Sequence, residues 1–293
     1  MRLARLALAG VLTTLATSAL AFSLGPYKDP LFAYPGILDQ SADGSLVVVD
    51  YQIERDLRGR DQVPERRVKS DYVSHKPSWS ERDTSVTVNG QRLAHIRVGK
   101  PSAETRVITL YLHGKGGNRH QGANDNTFGG NFNRIKNLMI RNDGVYISPD
   151  FNGFEQQGLN EIAGLIATYK AEAPNASVFV ACGSMGSLLC YRLAQSPDTA
   201  SLVDGLLFLG GATDETLLTS AAVKRRVPIF FGHGSEDRVY DWTRQHALFL
   251  KVKKLPGAYP VRFALFQSGS HGTPIRMLDW RRTLNWMLAN PPG

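Results

Sequence analysis

The stretch with the clearest capacity for chemistry is 178–194, VFVACGSMGSLLCYRLA. Its apolar run breaks at Cys182, Gly183, Ser184, Met185 and Gly186, and a helical pattern follows. Ser and Gly are common turn formers, so Ser184 can be no more than a turn residue. A serine on a strained corner between a strand and a helix can also be a nucleophile. Whether the rest of the chain supplies an acid and a base separates the two interpretations.

The elements that would position this serine follow from the hydrophobic pattern. From residue 84 onward, short β-branched or apolar runs alternate with longer amphipathic ones, which is typical of a mostly parallel sheet with helices on both faces. Asn89-Gly90 indicates an opening hairpin. The predicted strands are 84–88, 92–98, 107–113, 145–149, 177–182, 202–209, 227–231 and 260–266. The predicted helices are 132–141, 155–172, 185–195, 214–223, 242–253 and 275–289. The pattern predicts an eight-stranded α/β sheet.

The partners of Ser184 should follow the later strands, because open α/β sheets gather ligands at the carboxyl ends of their strands. The seventh predicted strand is followed by HGSEDRV, which contains Asp237, and the eighth by QSGSHG, which contains His271. The chain order is then nucleophile, acid, base. Glu236 and Asp241 are alternative acids, and Asp237 would then only cap the next helix. His271 alone would be an ordinary surface histidine.

With these residues in this order, residues 84–289 resemble the α/β-hydrolase family. The family motif around the nucleophile is G-x-S-x-G, and this chain reads C-G-S-M-G, with Cys182 at the first position. The resemblance implies that Ser184 is the nucleophile, that His271 is the general base and later acid, and that Asp237 orients and supports the imidazolium. It favours Asp237 over its acidic neighbours, because HGSEDRV looks like the acid-bearing turn of the family.

A hydrolytic serine also needs N–H donors for the developing oxyanion, each typically worth about 3 kcal/mol of barrier. The backbone amide of Met185, directly after the serine, is the first candidate. The loop after the third predicted strand reads HGKGGN and should supply the second. By resemblance to the HG-x-G loop of the family, the amide of Lys115 is favoured, followed by that of Gly116. The loop is not a phosphate-binding loop, because the string G-x-x-x-x-G-K-[ST] does not occur in the sequence.

Composition excludes several other classes of function. The chain has 293 residues, of which 42% are hydrophobic and 20% charged, as in a globular protein with a sizeable core. Its formal charge of +8, or 8 − 2 = +6 without Arg2 and Arg5, is not gathered in long basic runs, so no nucleic-acid partner is expected. Scattered histidines and two cysteines without a CxxC pattern predict no metal site, and no cofactor is required.

The two cysteines, Cys182 and Cys190, flank the Ser184 bend and do not bridge distant segments. A disulfide framework is therefore not expected. Cys182 is interpreted as a small residue at the end of a buried strand, and Cys190 as a small apolar residue in the following helix.

The N-terminal segment has the pattern of an export signal. Arg2 and Arg5 precede an apolar run at 6–20, and Ala19-Leu20-Ala21 offers a small-x-small cleavage site. Residues 1–21 are therefore predicted to be a signal peptide, and the protein to be periplasmic or secreted. The run is too short and too polar for a stable membrane anchor.

Residues 22–83 form an N-terminal extension, with a predicted strand at 46–51, that is expected to pack on or over the hydrolase domain, 84–293. Segment 211–226 is too short for a large lid after the sixth strand, which favours an open groove unless the extension covers it. Five aromatic or basic residues of the extension either line such a roof or belong to ordinary surface. They are Arg67, Lys69, Tyr72, His75 and Trp79. The polar loop 124–133 either binds part of the substrate or caps the next helix through Asn131.

Together these features predict an exported serine hydrolase that cleaves carboxylic esters or related acyl bonds of a small-molecule or polymer-linked substrate, with a preference for short acyl groups. The same residues would also serve a peptidase or an acyltransferase, because a fold does not fix the acceptor or leaving group. A non-catalytic binding protein on the same fold is the third hypothesis. It is disfavoured because a binding module has no reason to keep the serine, acid and base together.

Overall fold

The computed structural model describes residues 22–293, and the predicted signal peptide at 1–21 lies outside the described residues. The strands, numbered in chain order, are β1 (Ile37–Gln40), β2 (Leu46–Val49), β3 (Asp61–Val63), β4 (Arg67–Val68), β5 (Glu81–Val88), β6 (Gln91–Val98), β7 (Val107–Leu112), β8 (Gly144–Pro149), β9 (Ser177–Gly183), β10 (Gly205–Leu209), β11 (Ile229–Gly234) and β12 (Val261–Phe266).

The α-helices are α1 (Asp29–Phe32), α2 (Arg119–Ala123), α3 (Asn131–Arg141), α4 (Gln156–Glu172), α5 (Ser187–Gln195), α6 (Pro197–Ala200), α7 (Ala221–Lys224), α8 (Trp242–Lys253), α9 (Thr273–Met277) and α10 (Trp280–Leu288). Short 3₁₀ helices occur at Ser70–Tyr72, Lys76–Trp79, Phe128–Gly130, Ser184–Gly186 and Glu215–Thr219, and a π-helical turn at Ile53–Arg58.

The central sheet is mostly parallel and has helices on both faces, as the sequence predicts. Its strand order is β1-β2-β12-β11-β10-β9-β7-β8-β6-β5, and β3 and β4 form a separate ribbon. Only the pairs β1·β2, β5·β6 and β6·β8 of the sheet are antiparallel. The sheet has ten strands where eight were predicted, because the segment before residue 84 adds β1 and β2.

The predicted opening hairpin is present. Strands β5 and β6 pair so that Val88 lies opposite Gln91, which leaves a two-residue turn. Asn89 has a φ of 50° and Gly90 a φ of 78°. Positive φ at both turn residues matches the right-handed twist of the flanking strands.

Two hydrophobic layers enclose the sheet, because successive residues of a strand point to opposite faces. On β10, Leu206 and Phe208 pack in the layer of α4, α5, α7 and α8. Leu207 and Leu209 pack in the layer of α3, α9 and α10, which also includes Leu24 of the extension. The core thus lies on both sides of strands that end at the candidate site.

Two predicted helices are each divided into two elements. Segment 275–289 divides because Asp279 caps α10 and accepts a hydrogen bond from Arg282 N at 3.3 Å. Segment 214–223 divides because Ser220 caps α7 and accepts from Val223 N at 3.2 Å. A residue at an N-cap has non-helical backbone, so each interrupts the helical pattern.

No large lid follows β10. Segment 211–226 contains only the 3₁₀ helix Glu215–Thr219 and α7 before the chain enters β11. Among residues 22–293, no helix is both long enough and apolar enough to span a bilayer.

Candidate active site

Ser184 lies on the corner between β9 and α5. Its φ is 53°, a left-handed conformation that costs a non-glycine residue roughly 1–2 kcal/mol. The corner presses against the end of β7. A Cβ at Gly186 would lie 2.5 Å from Leu112 O and 2.8 Å from His113 O, so only glycine fits there. The strained corner and the close approach are what the nucleophile motif requires.

The structure brings together the three side chains that the sequence predicts. Ser184 Oγ lies 2.9 Å from His271 Nε2. His271 Nδ1 lies 2.8 Å from Asp237 Oδ2. A neutral imidazole protonated at Nδ1 donates to the carboxylate and leaves Nε2 to accept the serine proton, so the partners themselves define the tautomer. The arrangement is a continuous proton-transfer line from the hydroxyl to the carboxylate.

Asp237 is held ionised and fixed. Its side chain is fully buried, and burial alone would raise the pKa of the carboxyl. Hydrogen bonds from His233, His271 and Val239 N outweigh burial and hold the pKa well below its usual range. Oδ1 accepts from Val239 N at 2.8 Å and from Tyr240 N at 3.2 Å. Four N–H groups therefore surround one carboxylate.

The two alternative acids have other positions. Asp241 is the N-cap of α8 and accepts from Thr243 N at 2.9 Å. Glu236 is exposed and lines a cleft beside His271. Of the three acids considered, Asp237 is the one hydrogen-bonded to the imidazole.

His233 is a residue of this site that sequence reasoning missed. It is fully buried at the second-last position of strand β11. Its Nε2 lies 3.1 Å from Asp237 Oδ2 and 3.1 Å from Tyr240 O. Both neighbours accept hydrogen bonds, so Nε2 carries a proton. Nδ1 faces the side-chain amide of Gln245 at 2.8 Å, and that amide can present either its oxygen or its nitrogen. The signal was present in HGSEDRV, as a histidine four residues before the acid.

The loop after β7 lies directly against the serine. A Cβ at Gly114 would be 2.8 Å from Ser184 Cβ. A hydrogen bond from Gly117 N to Gly114 O closes a turn with Lys115 at its tip. Within the described part of the chain, the backbone amides of Met185 and Lys115 have no hydrogen-bond acceptor. The two predicted oxyanion donors therefore lie in segments next to Ser184 and have N–H groups to offer.

His113, at the start of this loop, holds the turn in place. Its Nδ1 is 2.9 Å from Gly114 O, and its ring stacks on Phe151 with centroids 4.2 Å apart. Burial lowers the pKa of His113, although the Gly114 carbonyl opposes the shift. A neutral imidazole donates from Nδ1 to the carbonyl and fixes the backbone that carries Lys115.

Cys182 and Cys190 form a disulfide, which is a correction to the expectation of two separate small residues. Helix α5 turns back along β9 after the corner and brings the two Cα atoms within 6.3 Å. Cys182 occupies the first position of the G-x-S-x-G motif, so the disulfide links the strand to the helix on either side of Ser184. Among residues 22–293, no group of three His, Cys, Asp or Glu is arranged to hold a metal ion.

The extension contacts the site, but not through the five aromatic and basic residues that the sequence offered as a roof. Arg67, Lys69, His75 and Trp79 are exposed, and Trp79 is 82% exposed, so these are surface residues. Tyr72 packs beneath the Arg60 guanidinium, 4.6 Å from the ring centroid. The wall beside His271 is formed instead by the segment that begins at Tyr51.

The loop 124–133 has both a structural and a site-facing part. Asn131 does not cap α3, because Gly130 is the N-cap residue. The Asn131 side chain instead donates to Ile275 O at 2.8 Å and to Leu278 O at 2.9 Å, which ties α3 to α9. Thr127 and Phe128 line a small cavity next to the site.

Solved structures with the same architecture are α/β hydrolases. A protein of unknown function and candidate α/β hydrolase from Agrobacterium tumefaciens is 16% identical, with a TM-score of 0.56 over 72% of this chain and 100% of that chain. A thermostable esterase is 14% identical, with a TM-score of 0.57 over 72% of this chain and 63% of that one. A serine hydrolase without a lid from Xanthomonas campestris is 12% identical, with a TM-score of 0.50 over 72% and 94%.

These similarities define the fold. The chain has the α/β-hydrolase fold, as its sequence motifs predict. No protein-family model matches the chain, and no curated protein matches it in sequence. Function is therefore inferred from the geometry of this site.

Proposed function

We propose that the protein is an exported serine hydrolase that cleaves carboxylic esters or related acyl bonds through an acyl-enzyme on Ser184. One observation carries the proposal. Ser184 Oγ, His271 and Asp237 form a line with contacts of 2.9 Å and 2.8 Å, on a strained corner next to two unpaired backbone amides. This combination supplies a nucleophile, a proton acceptor and oxyanion donors at one point.

In the proposed reaction, Ser184 Oγ attacks the carbonyl carbon while its proton passes to His271 Nε2. The amides of Met185 and Lys115 donate to the oxyanion that forms. Collapse of the intermediate breaks the bond to the leaving group, which takes the proton from Nε2. Water then attacks the acyl-enzyme, gives a proton to Nε2 and releases the acid, and the proton returns to Oγ. Asp237 remains ionised throughout and stabilises the imidazolium.

Labelling with a fluorophosphonate probe tests the proposal. We expect a single adduct by intact-mass analysis, mapped to Ser184 by peptide sequencing. Ser184→Ala and His271→Ala should abolish it, whereas Ser201→Ala, which changes an exposed serine before the amino end of β10, should not. An unlabelled protein at high probe concentration, or an adduct that persists in Ser184→Ala, would refute the proposal.

A non-catalytic binding protein is the less favoured alternative. That hypothesis gives no reason for the serine and imidazole to share a hydrogen bond, whereas the two atoms are 2.9 Å apart. Amide hydrolysis and acyl transfer would use the same residues. Matched amide, thioester and ester substrates, with and without an added alcohol acceptor, would rank these reactions, and failure of esters alone would displace the ester assignment.

Export is part of the proposal. The signal-like pattern in residues 1–21 supports it, and so does the Cys182–Cys190 disulfide, since disulfides persist mainly in oxidising compartments. Cell fractionation with N-terminal sequencing tests it. We expect a mature chain that begins at or near Phe22, and an uncleaved chain confined to the cytoplasm would contradict it.

A further inference from the structure

A cleft opens beside His271, and the extension forms one of its walls. Its volume is about 600 Å³, and its lining combines the segment from Tyr51 to Glu65 with the loops after β11 and β12. A second cavity of about 250 Å³ adjoins it and also contacts Tyr51, Leu57 and Glu65. The imidazole of the proton-transfer line therefore faces the cleft.

The position of the cleft relates it to the leaving group of the substrate and not to the acyl group. In serine hydrolysis the imidazole returns its proton to the departing oxygen or nitrogen, so the leaving group must lie on the imidazole side of the serine. The lining of the cleft includes His271 but not Ser184, nor the proposed oxyanion donors Met185 and Lys115, so the cleft lies on the far side of the imidazole from those donors. The cleft therefore lies on the side toward which the rest of a leaving group would extend.

The charges along the cleft cancel. Arg58 and Arg238 contribute two positive charges, and Glu65 and Glu236 two negative ones. Within residues 22–293, Glu65, Glu236 and Arg238 have no ion-pair partner, and Arg58 pairs only with Glu54 at an exposed position. The lining also contains the ring of Tyr51 and the apolar residues Ile53, Leu57, Pro64 and Val239. Charged donors and acceptors beside apolar surface suit a sugar-like or polyol ligand, because its hydroxyls both donate and accept while its C–H groups pack on the apolar surface. Such a lining gives no net attraction to an ionic ligand.

The wall is a fixed part of the fold. Asp61, at the start of β3, forms a buried ion pair with Arg276 of α9, with contacts of 2.7 Å and 2.9 Å. The Arg276 guanidinium also lies 3.3 Å from Asp56 O in the π-helical turn. Because α9 directly follows the loop that carries His271, this ion pair joins the extension to the segment next to the imidazole.

We propose that this cleft binds the alcohol portion of the substrate, and that the protein acts on esters of uncharged polyhydroxylated alcohols of the sugar or polyol type. The inference rests on the proposed function, because it uses His271 as the proton donor to the leaving group. It assigns to the extension the role of selecting the alcohol.

A series of acetyl esters with one constant acyl group tests the proposal. The alcohols are methanol, butanol, glycerol, a monosaccharide, choline and glycolate, which separate size, hydroxyl content and charge. We expect kcat/KM to be highest for the monosaccharide and glycerol esters. Higher values for butyl, choline or glycolate esters would overturn the assignment of a neutral polyol.

The matched variants are Ile53→Trp, which narrows the cleft, and Leu250→Trp on α8, which lies outside it. The two wild-type side chains are similarly exposed, at 47% and 40%. Ile53→Trp should lower the ratio of kcat/KM for the monosaccharide ester to that for methyl acetate about tenfold, and Leu250→Trp should leave it unchanged.

The same variants distinguish a failure of the cleft assignment from a failure of the proposed function. Fluorophosphonate labelling of Ser184 is measured in parallel for each protein. Suppose that labelling occurs, and that Ile53→Trp alters kcat/KM only when the acyl chain of the ester is varied and not when the alcohol is varied. The cleft then holds the acyl group, and the inference is wrong. If no protein is labelled, the proposed function itself fails.

Discussion

The buried N–H of His233 should sustain catalysis by holding the carboxylate of Asp237. We expect His233→Phe, which keeps the ring volume and removes the donor, to reduce kcat. A hydrogen bond to a charged group is worth about 1.5–3 kcal/mol, which is roughly 10- to 150-fold in rate at about 1.4 kcal/mol per decade. His233 Nε2 lies equally close, at 3.1 Å, to Asp237 Oδ2 and Tyr240 O. The proton is therefore shared, and about tenfold is the expected loss.

The kcat of His233→Phe relative to wild type should decrease at low pH. His233 and His271 both lower the pKa of Asp237, so removal of His233 should raise that pKa toward the usual range of a carboxyl. A protonated Asp237 cannot stabilise the imidazolium. The ratio of variant to wild-type kcat should therefore stay constant from pH 8 to about 6, where the carboxyl is ionised in both proteins, and fall as the pH drops toward about 4, the usual pKa of a carboxyl. Steady-state hydrolysis of a chromogenic acetyl ester across this range measures it.

Two further variants separate positioning from stability. His233→Gln keeps an N–H at a similar reach and should recover most of the rate. His95→Phe removes another fully buried histidine, which lies on β6 and is hydrogen-bonded through Nε2 to the Tyr169 hydroxyl at 2.6 Å. It should lower the free energy of unfolding and leave kcat unchanged. The reasoning is refuted if His233→Phe keeps the wild-type kcat, if His233→Gln is no better than His233→Phe, or if His95→Phe loses equal activity.

Three other changes have expected outcomes. Gly114→Ala places a methyl group 2.8 Å from Ser184 Cβ, and the displaced nucleophile should lower kcat about 100-fold with an unchanged circular dichroism spectrum. Replacing Cys182 and Cys190 together by Ala should lower the free energy of unfolding in urea by about 2.5 kcal/mol, because the disulfide closes a loop with a sequence separation of 8. Two reactive thiols in the unreduced, denatured wild type would contradict the disulfide. The pKa of Asp237 is lowered in the folded state, so its contribution to stability is complete above the unfolded pKa of about 4 and is lost as the pH falls below that value. Asp237→Asn should therefore destabilise the protein at pH 7 and progressively less toward pH 3. Urea unfolding at each pH measures the difference.

The order of the site residues could be predicted because each of them follows a buried strand. Strands β9, β11 and β12 are largely apolar runs that lead into segments containing serine or glycine, and parallel strands deliver their carboxyl ends to one edge of the sheet. The sequence therefore placed Ser184, Asp237 and His271 together without any contact information. Boundaries were less accurate where a capping side chain interrupts a helical pattern, as at Ser220 and Asp279.

The contacts of the extension could not be predicted, because they join segments far apart in sequence. Strand β2 is apolar enough to be recognised, but no local signal indicates that it pairs with β12. All four residues of β1 are exposed, so the strand lacks the alternation that marks a half-buried edge. The Cys182–Cys190 disulfide was missed for a different reason. The two cysteines are near in sequence, and only the turn of α5 back along β9 makes them neighbours.

The pairing of β2 with β12 explains why the extension reaches His271. The two strands are parallel, with Val49 opposite Phe266, so the chain leaves β2 at the same edge at which it leaves β12. Tyr51 and the following turn are therefore delivered beside the loop that carries the imidazole. A strand added antiparallel at this position would have sent the same residues to the opposite edge of the sheet. Because no large lid follows β10, the direction of this one strand determines which side of Ser184 receives a wall.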